Sequence, residues 1–392
     1  MRLILPDSAV ESNTAQVYIA LVEDYTSGNG AGDPQSMERA VEYLLKGVDL
    51  FDRALLLQEG QLESSPAQDI DMDDDEDGGI TLQDQMESAE SESTESTEQW
   101  ALIKEPVTKS DVLDTIVAKL EALALLCGLA QYTYEFLQDP FQYARDAGVT
   151  LLNKLDSLLE GSPDGTTLEL VLSRANFSVA LSDLGFKTGT ITVQEYTENI
   201  QHAFSASSLM GFTGPIVLVN KAEAYIQLAQ ALGDASNPLT ASVRPIEILS
   251  HYTLAAKLLT EASGQDKTNA RLHCLRGDVE MWRSRIVSGQ EGGEKKMATV
   301  ETLWGNAGVY YRGAKKVAEA YPNGQRDVYL EACVKELVSE VQKQLIRGGK
   351  GIEEVVGKVK RELEKYSGWD ETVLECVRHG VLDERVLREL EG

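Results

Sequence analysis

Residues 255–282 read AAKLLTEASGQDKTNARLHCLRGDVEMW, and the reading of this stretch decides the fold. Ala255, Leu259 and Ala262 recur at helical spacing, with a large residue between two small ones. That spacing suits a helix packed closely against a partner, because small side chains let two backbones approach. Gly264-Gln265-Asp266 breaks the pattern, and a second helical run follows in which Gly277 again offers room for close approach. Helix, short break, helix is the expected unit, with the two helices antiparallel.

The same organisation extends along the chain. Val41, Leu44, Leu45, Val48, Phe51 and Leu55 form one broad apolar face over Ala40–Leu57. Val112, Ile116, Leu120, Leu123 and Leu126 repeat it over Lys109–Leu137, with Ser110 or Asp111 as candidate N-cap. Breaks then arrive regularly at Gln138-Asp139-Pro140, 161–165, Gly185–Gly189, Gly211–Pro215, Gly233–Pro238, Gly289–Gly293, 322–324, 348–351 and Gly368. No segment alternates as a strand, so the expected class is all-α, with helices of roughly 15–25 residues joined by short loops.

Helix pairs recurring at this scale call for a test of repeat architecture. Carried on in a 34-residue register, the frame set by Ala255, Leu259 and Ala262 places Gly277 at the small position of the next first helix. Ala222 and Tyr225 fit a first helix upstream, while Tyr196/Ile200/Ala203 and Ala307/Tyr311/Ala314 fit second helices. On these residues the chain resembles, in degenerate form, the tetratricopeptide repeats, over about residues 14–320. The resemblance implies a superhelix: residues 1–59 as a first helix pair, 108–320 as repeats and 321–392 as capping helices, such as Gly351–Tyr366. It also implies a concave wall formed by the first helix of each unit. The register on Gly277 points Arg271, Asp278 and Trp282 into that wall, and the register on Ala222 points Glu223 and Gln227. Looser anchors at Ala124 and Asn176 add Glu121 and Phe177.

Between the first pair and the repeats, residues 60–107 are expected to form a disordered acidic loop. Residues 60–100 hold fourteen Asp/Glu and no Lys or Arg, which is 14 of the 28 net negative charges. Asp71, Asp73, Asp74, Asp75, Glu76 and Asp77 form its centre. A like-charged run with few apolar residues cannot offset its own ordering entropy. Ser88, Ser91, Ser93, Thr94, Ser96 and Thr97 lie among glutamates, where phosphorylation would add about −1.5 to −2 charge per site. Such an arm points to a basic partner.

Acidity also sets exclusions. A net charge of −28 disfavours direct binding to nucleic acid or to an anionic membrane surface. Locally the charge is uneven, since residues 312–392 carry 15 Lys/Arg against 16 Asp/Glu. No 18-residue apolar run and no secretory leader occur, which suggests a cytoplasmic or nuclear protein. Cys127, Cys274, Cys333 and Cys376 are far apart in apolar helical contexts and read as buried thiols.

No catalytic, metal or cofactor motif stands out. His202, His251, His273 and His379 have no zinc-binding spacing. The run Gly351–Val359 has one residue too many between its glycines for a phosphate loop, and the acids from Asp71 lack an EF-hand's Gly and Glu. An acidic arm on a helical-repeat scaffold resembles the dedicated chaperones that escort newly made ribosomal proteins. It is less closely similar to the histone-binding tetratricopeptide proteins. The expected function is therefore a non-enzymatic chaperone for a basic client, a ribosomal protein ahead of a histone. The alternative is a scaffold or adaptor in a multi-subunit assembly.

Overall fold

The computed structural model describes residues 7–27, 33–64, 106–133, 136–160, 167–234, 237, 240, 243–290, 294–321, 326–346 and 361. Asp71–Asp77, the Ser/Thr cluster 88–97, Cys376, His379 and the expected helix Gly351–Tyr366 (apart from Arg361) lie outside the described residues.

Among the described residues the protein is all-helical. The helices are α1 (Ser8–Ser27), α2 (Pro34–Ser64), α3 (Lys109–Gly128), α4 (Pro140–Leu159), α5 (Leu168–Lys187) and α6 (Val193–Ala203). Then follow α7 (Pro215–Gly233), α8 (Pro245–Gln265), α9 (Ala270–Ser288), α10 (Glu294–Ala320) and α11 (Arg326–Ile346). Local sequence explains their starts. Pro140, Pro215 and Pro245 open α4, α7 and α8, where a missing N–H costs nothing. Gly214, just before Pro215, has φ +129, a conformation that side-chain-bearing residues rarely adopt.

Three boundaries differ from the sequence reading. Thr108, not Ser110 or Asp111, caps α3, and Asp111 at the third position returns the bond to the Thr108 amide in a capping box. The same helix ends at Gly128 rather than near Leu137, because the chain tightens into a 3-10 turn at Ala130–Tyr132. In addition, α2 continues to Ser64, so the first residues assigned to the acidic loop are helical.

Each helix packs on its neighbour in the chain, and odd-numbered helices also touch in succession, α1 to α3 and so on to α11. The small/large/small residues drive this packing. Ala255, Leu259, Ala262, Tyr196, Ile200, Ala307, Tyr311 and Ala314 are all fully buried. One apolar cluster runs from Ala15 on α1 to Val279 on α9, and a smaller one joins α9, α10 and α11. Gly277 lies against the Tyr311 ring so closely that an added Cβ would sit 2.4 Å from Cε1. Cys127, Cys274 and Cys333 are buried.

Candidate functional site

A groove opens between α7, α9 and α11, with a volume of about 1100 Å³. Its α7 wall carries Glu223 and Gln227, and its α9 wall carries Arg271, Asp278 and Trp282. Thus five of the residues expected on the concave wall line one cavity. The sequence reading missed the third wall, where α11 contributes Glu331 and Lys335. One signal was available: Lys335 sits at helical spacing from the buried Val328, Ala332 and Val338, on an apolar face.

The groove floor is ionic. Lys335 is 1% exposed, and its Nζ donates to Asp278 Oδ2 at 2.7 Å and to Glu331. The Tyr311 hydroxyl donates to Asp278 Oδ1 at 2.8 Å. Asp278 is therefore a correction to the sequence reading. It lines the groove, but its carboxylate is committed to holding α9, α10 and α11 together. Burial pushes its pKa up, and the Lys335 ammonium and the Tyr311 hydrogen bond oppose that shift.

The upper walls are less committed. Glu223 touches solvent yet stands between crowded helices, which raises its pKa, while Arg271 across the groove lowers it. Four carboxylates line the cavity (Glu223, Asp266, Asp278, Glu331) against two cations, Arg271 and Lys335. Asp266 is tied to Thr268, and Glu331 to Lys335. Glu223 alone of the four makes no hydrogen bond or ion pair with a described residue. Trp282 is half-buried and stacks on Tyr252, ring centroids 6.0 Å apart. On the opposite side of α9, Glu280 is 1% exposed and pairs with Arg276 and Arg283, while Arg276 lies 4.6 Å over the Tyr310 ring. That cluster ties α9 to α8 through Thr260 and to α10 through Tyr310, on the side away from the groove.

Glu121 and Phe177 do not join the groove. Glu121 on α3 is exposed and accepts from Ser173 Oγ of α5 at 2.8 Å. Phe177 is a correction: it is 1% exposed, with its ring seated on Gly148 of α4, where a Cβ would meet Cζ at 2.1 Å. One residue earlier, about 100° round the helix, Asn176 is the exposed residue and bonds Asn220 of α7 at 2.8 Å. The loose anchor was one position out of register.

Among the described residues, no group of three or more His, Cys, Asp or Glu could hold a metal ion, and no helix is long and apolar enough to cross a membrane. No protein-family model, curated protein or solved structure matches this chain.

Proposed function

We propose that this chain is a non-enzymatic, tetratricopeptide-like chaperone that holds a segment of a basic protein in the groove between α7, α9 and α11. A newly made ribosomal protein is the client class it fits first, and a histone the second. The succession of contacts between odd-numbered helices supports the architecture, since stacked two-helix units place their first helices side by side. One observation carries the reading of the site: carboxylates outnumber cations among the described residues that line the groove, and Glu223 makes no ion pair with a described residue.

Magnitudes divide the work between groove and acidic run. Exposed charges contribute about 0–1 kcal/mol per pair and act over ~8 Å at physiological salt. The six acids within residues 71–77 would therefore speed encounter and shield the client, whereas affinity would come from anchors seated beside Trp282. A second reading, an adaptor for a peptide of mixed charge, draws on Arg271 in the same wall.

The test begins with affinity purification of the full chain from its native cells and identification of the stoichiometric partner. Glu223→Gln with Trp282→Ala should then weaken that partner by more than about 1 kcal/mol, roughly fivefold. A partner without net positive charge, or undiminished binding by the folded double variant, would overturn the proposal.

A further inference from the structure

A second cavity lies far from the groove in the sequence, where the first turns of α1 and α3 meet the last turns of α2. Its volume is about 350 Å³, and Asp7, Asn13, Gln58, Gln61, Asp111 and Asp114 are among its walls. No Lys, Arg or His is among the described residues that line it. Acidity alone does not make a site, but Gln58 adds an independent feature. Its side chain is 4% exposed, and its carbonyl oxygen Oε1 has no hydrogen-bond partner among the described residues.

The amide orientation is fixed by its surroundings. Thr115 Oγ1 donates to the Asp111 carbonyl at 2.9 Å, so it can only accept from Gln58 Nε2, 3.0 Å away. Nε2 also reaches the Asp111 carbonyl at 3.4 Å. Oε1 is thus left over as a buried acceptor. Asp114 stands one residue from Thr115 on the same turn, and its carboxylate makes no hydrogen bond or ion pair with a described residue. The other two carboxylates are occupied: Asp7 accepts from the Ala9 amide at 3.0 Å, and Asp111 serves the α3 capping box.

We propose that this cleft is a binding site for the guanidinium group of an arginine side chain on a protein partner. The two uncommitted groups are a neutral acceptor and a carboxylate. A planar cation with several N–H groups can serve more than one acceptor, which a compact, strongly hydrated ammonium does less well. The described residues offer too few ligating groups for a metal ion. The site shares the expectation of a basic partner with the groove but no residue with it, so either can fail alone.

The experiment uses the full chain and acetyl-Gly-Arg-Gly-amide, titrated by calorimetry beside its lysine and citrulline counterparts and beside agmatine. The arginine peptide should bind one per chain, tighter than the lysine peptide, and the uncharged citrulline peptide should not bind. Asp114→Asn, at an exposed position that tolerates the change, should weaken binding at least about fivefold. Gln58→Met should do the same, and Asp24→Asn, at an exposed position of α1 that lines neither cavity, should have no effect. Equal binding of arginine and citrulline peptides, no binding at millimolar peptide, or indifference to Asp114→Asn would overturn the proposal. Agmatine binding more tightly than the peptide would assign the cleft to a free small cation and overturn the protein partner.

Discussion

Gly277→Ala tests the packing on which the whole reading rests. The added Cβ would lie 2.4 Å from Tyr311 Cε1 and 2.8 Å from both Cδ1 and Cζ. Carbon atoms rest at about 3.5–4.0 Å, so ring or helix must shift by more than ~1 Å. Tyr311 has little room to yield, because it is 0% exposed and its hydroxyl is bonded to Asp278. Overpacking of this kind costs about 1–3 kcal/mol. Straining a hydrogen bond to a buried charge puts up to ~1.5–3 kcal/mol more at risk. Against that, alanine in a helix interior gains only about 0.5–1 kcal/mol over glycine. The clash wins, and the expected outcome is a net loss of about 2 kcal/mol. Urea unfolding followed by far-UV circular dichroism measures it. Gly305→Ala is the control: Gly305 lies in the same α10 as Tyr311, with nothing within 4 Å of its would-be Cβ, so it should be neutral or slightly stabilising. In a Tyr311→Ala background the added methyl has space, and the cost of Gly277→Ala should largely vanish. Wild-type stability in Gly277→Ala, or an unchanged cost in the Tyr311→Ala background, would refute the close approach of α9 and α10.

Phe177→Ala should destabilise the protein by about 3–5 kcal/mol, since it removes a buried ring packed on Gly148. Under conditions where the variant is folded, partner binding should be intact; loss of binding at full stability would return Phe177 to the groove. Stability should also fall on acidification through the histidine range. Burial lowers the pKa of both His251 and His273 below the ordinary value near 6.5, so the unfolded chain takes up protons there that the folded chain resists. The urea midpoint should therefore drop as pH falls from about 7.5 to about 5.5, with a shallower drop in His251→Phe. Equal slopes for the variant and the wild type would show that His251 is not the group responsible.

What could be read from the sequence follows its periodicity. Apolar spacing in 255–262 and 307–314 identified faces that are fully buried, because burial of a helical stripe depends on residues three and four apart. Glu223, Gln227, Arg271, Asp278 and Trp282 came instead from the concave register that the tetratricopeptide resemblance implies, and all five line one groove, Asp278 as a buried residue. Helix ends were less legible. Ser110 and Asp111 were the expected caps of α3, but Thr108 takes that position, and only the capping-box bonds decide it. Phe177 was misplaced because Asn176 is a weak register anchor, and a one-residue error turns a helical side chain by about 100°.

The chain's charge, its helical class and the small residues at its crossings were determined by sequence alone, being properties of composition and local spacing. Tertiary structure decided the rest. Asp278 and Lys335 are 57 residues apart, and nothing local indicates that α11 brings Lys335 to the foot of the groove and removes Asp278 from its surface. Gln58 and Thr115 are likewise 57 apart, so the acceptor left over at Gln58 exists only once α2 has docked on α3. Spacing along one helix determines which side a residue faces; which partners meet it there depends on how distant helices stack, and that rests on packing summed over the whole core.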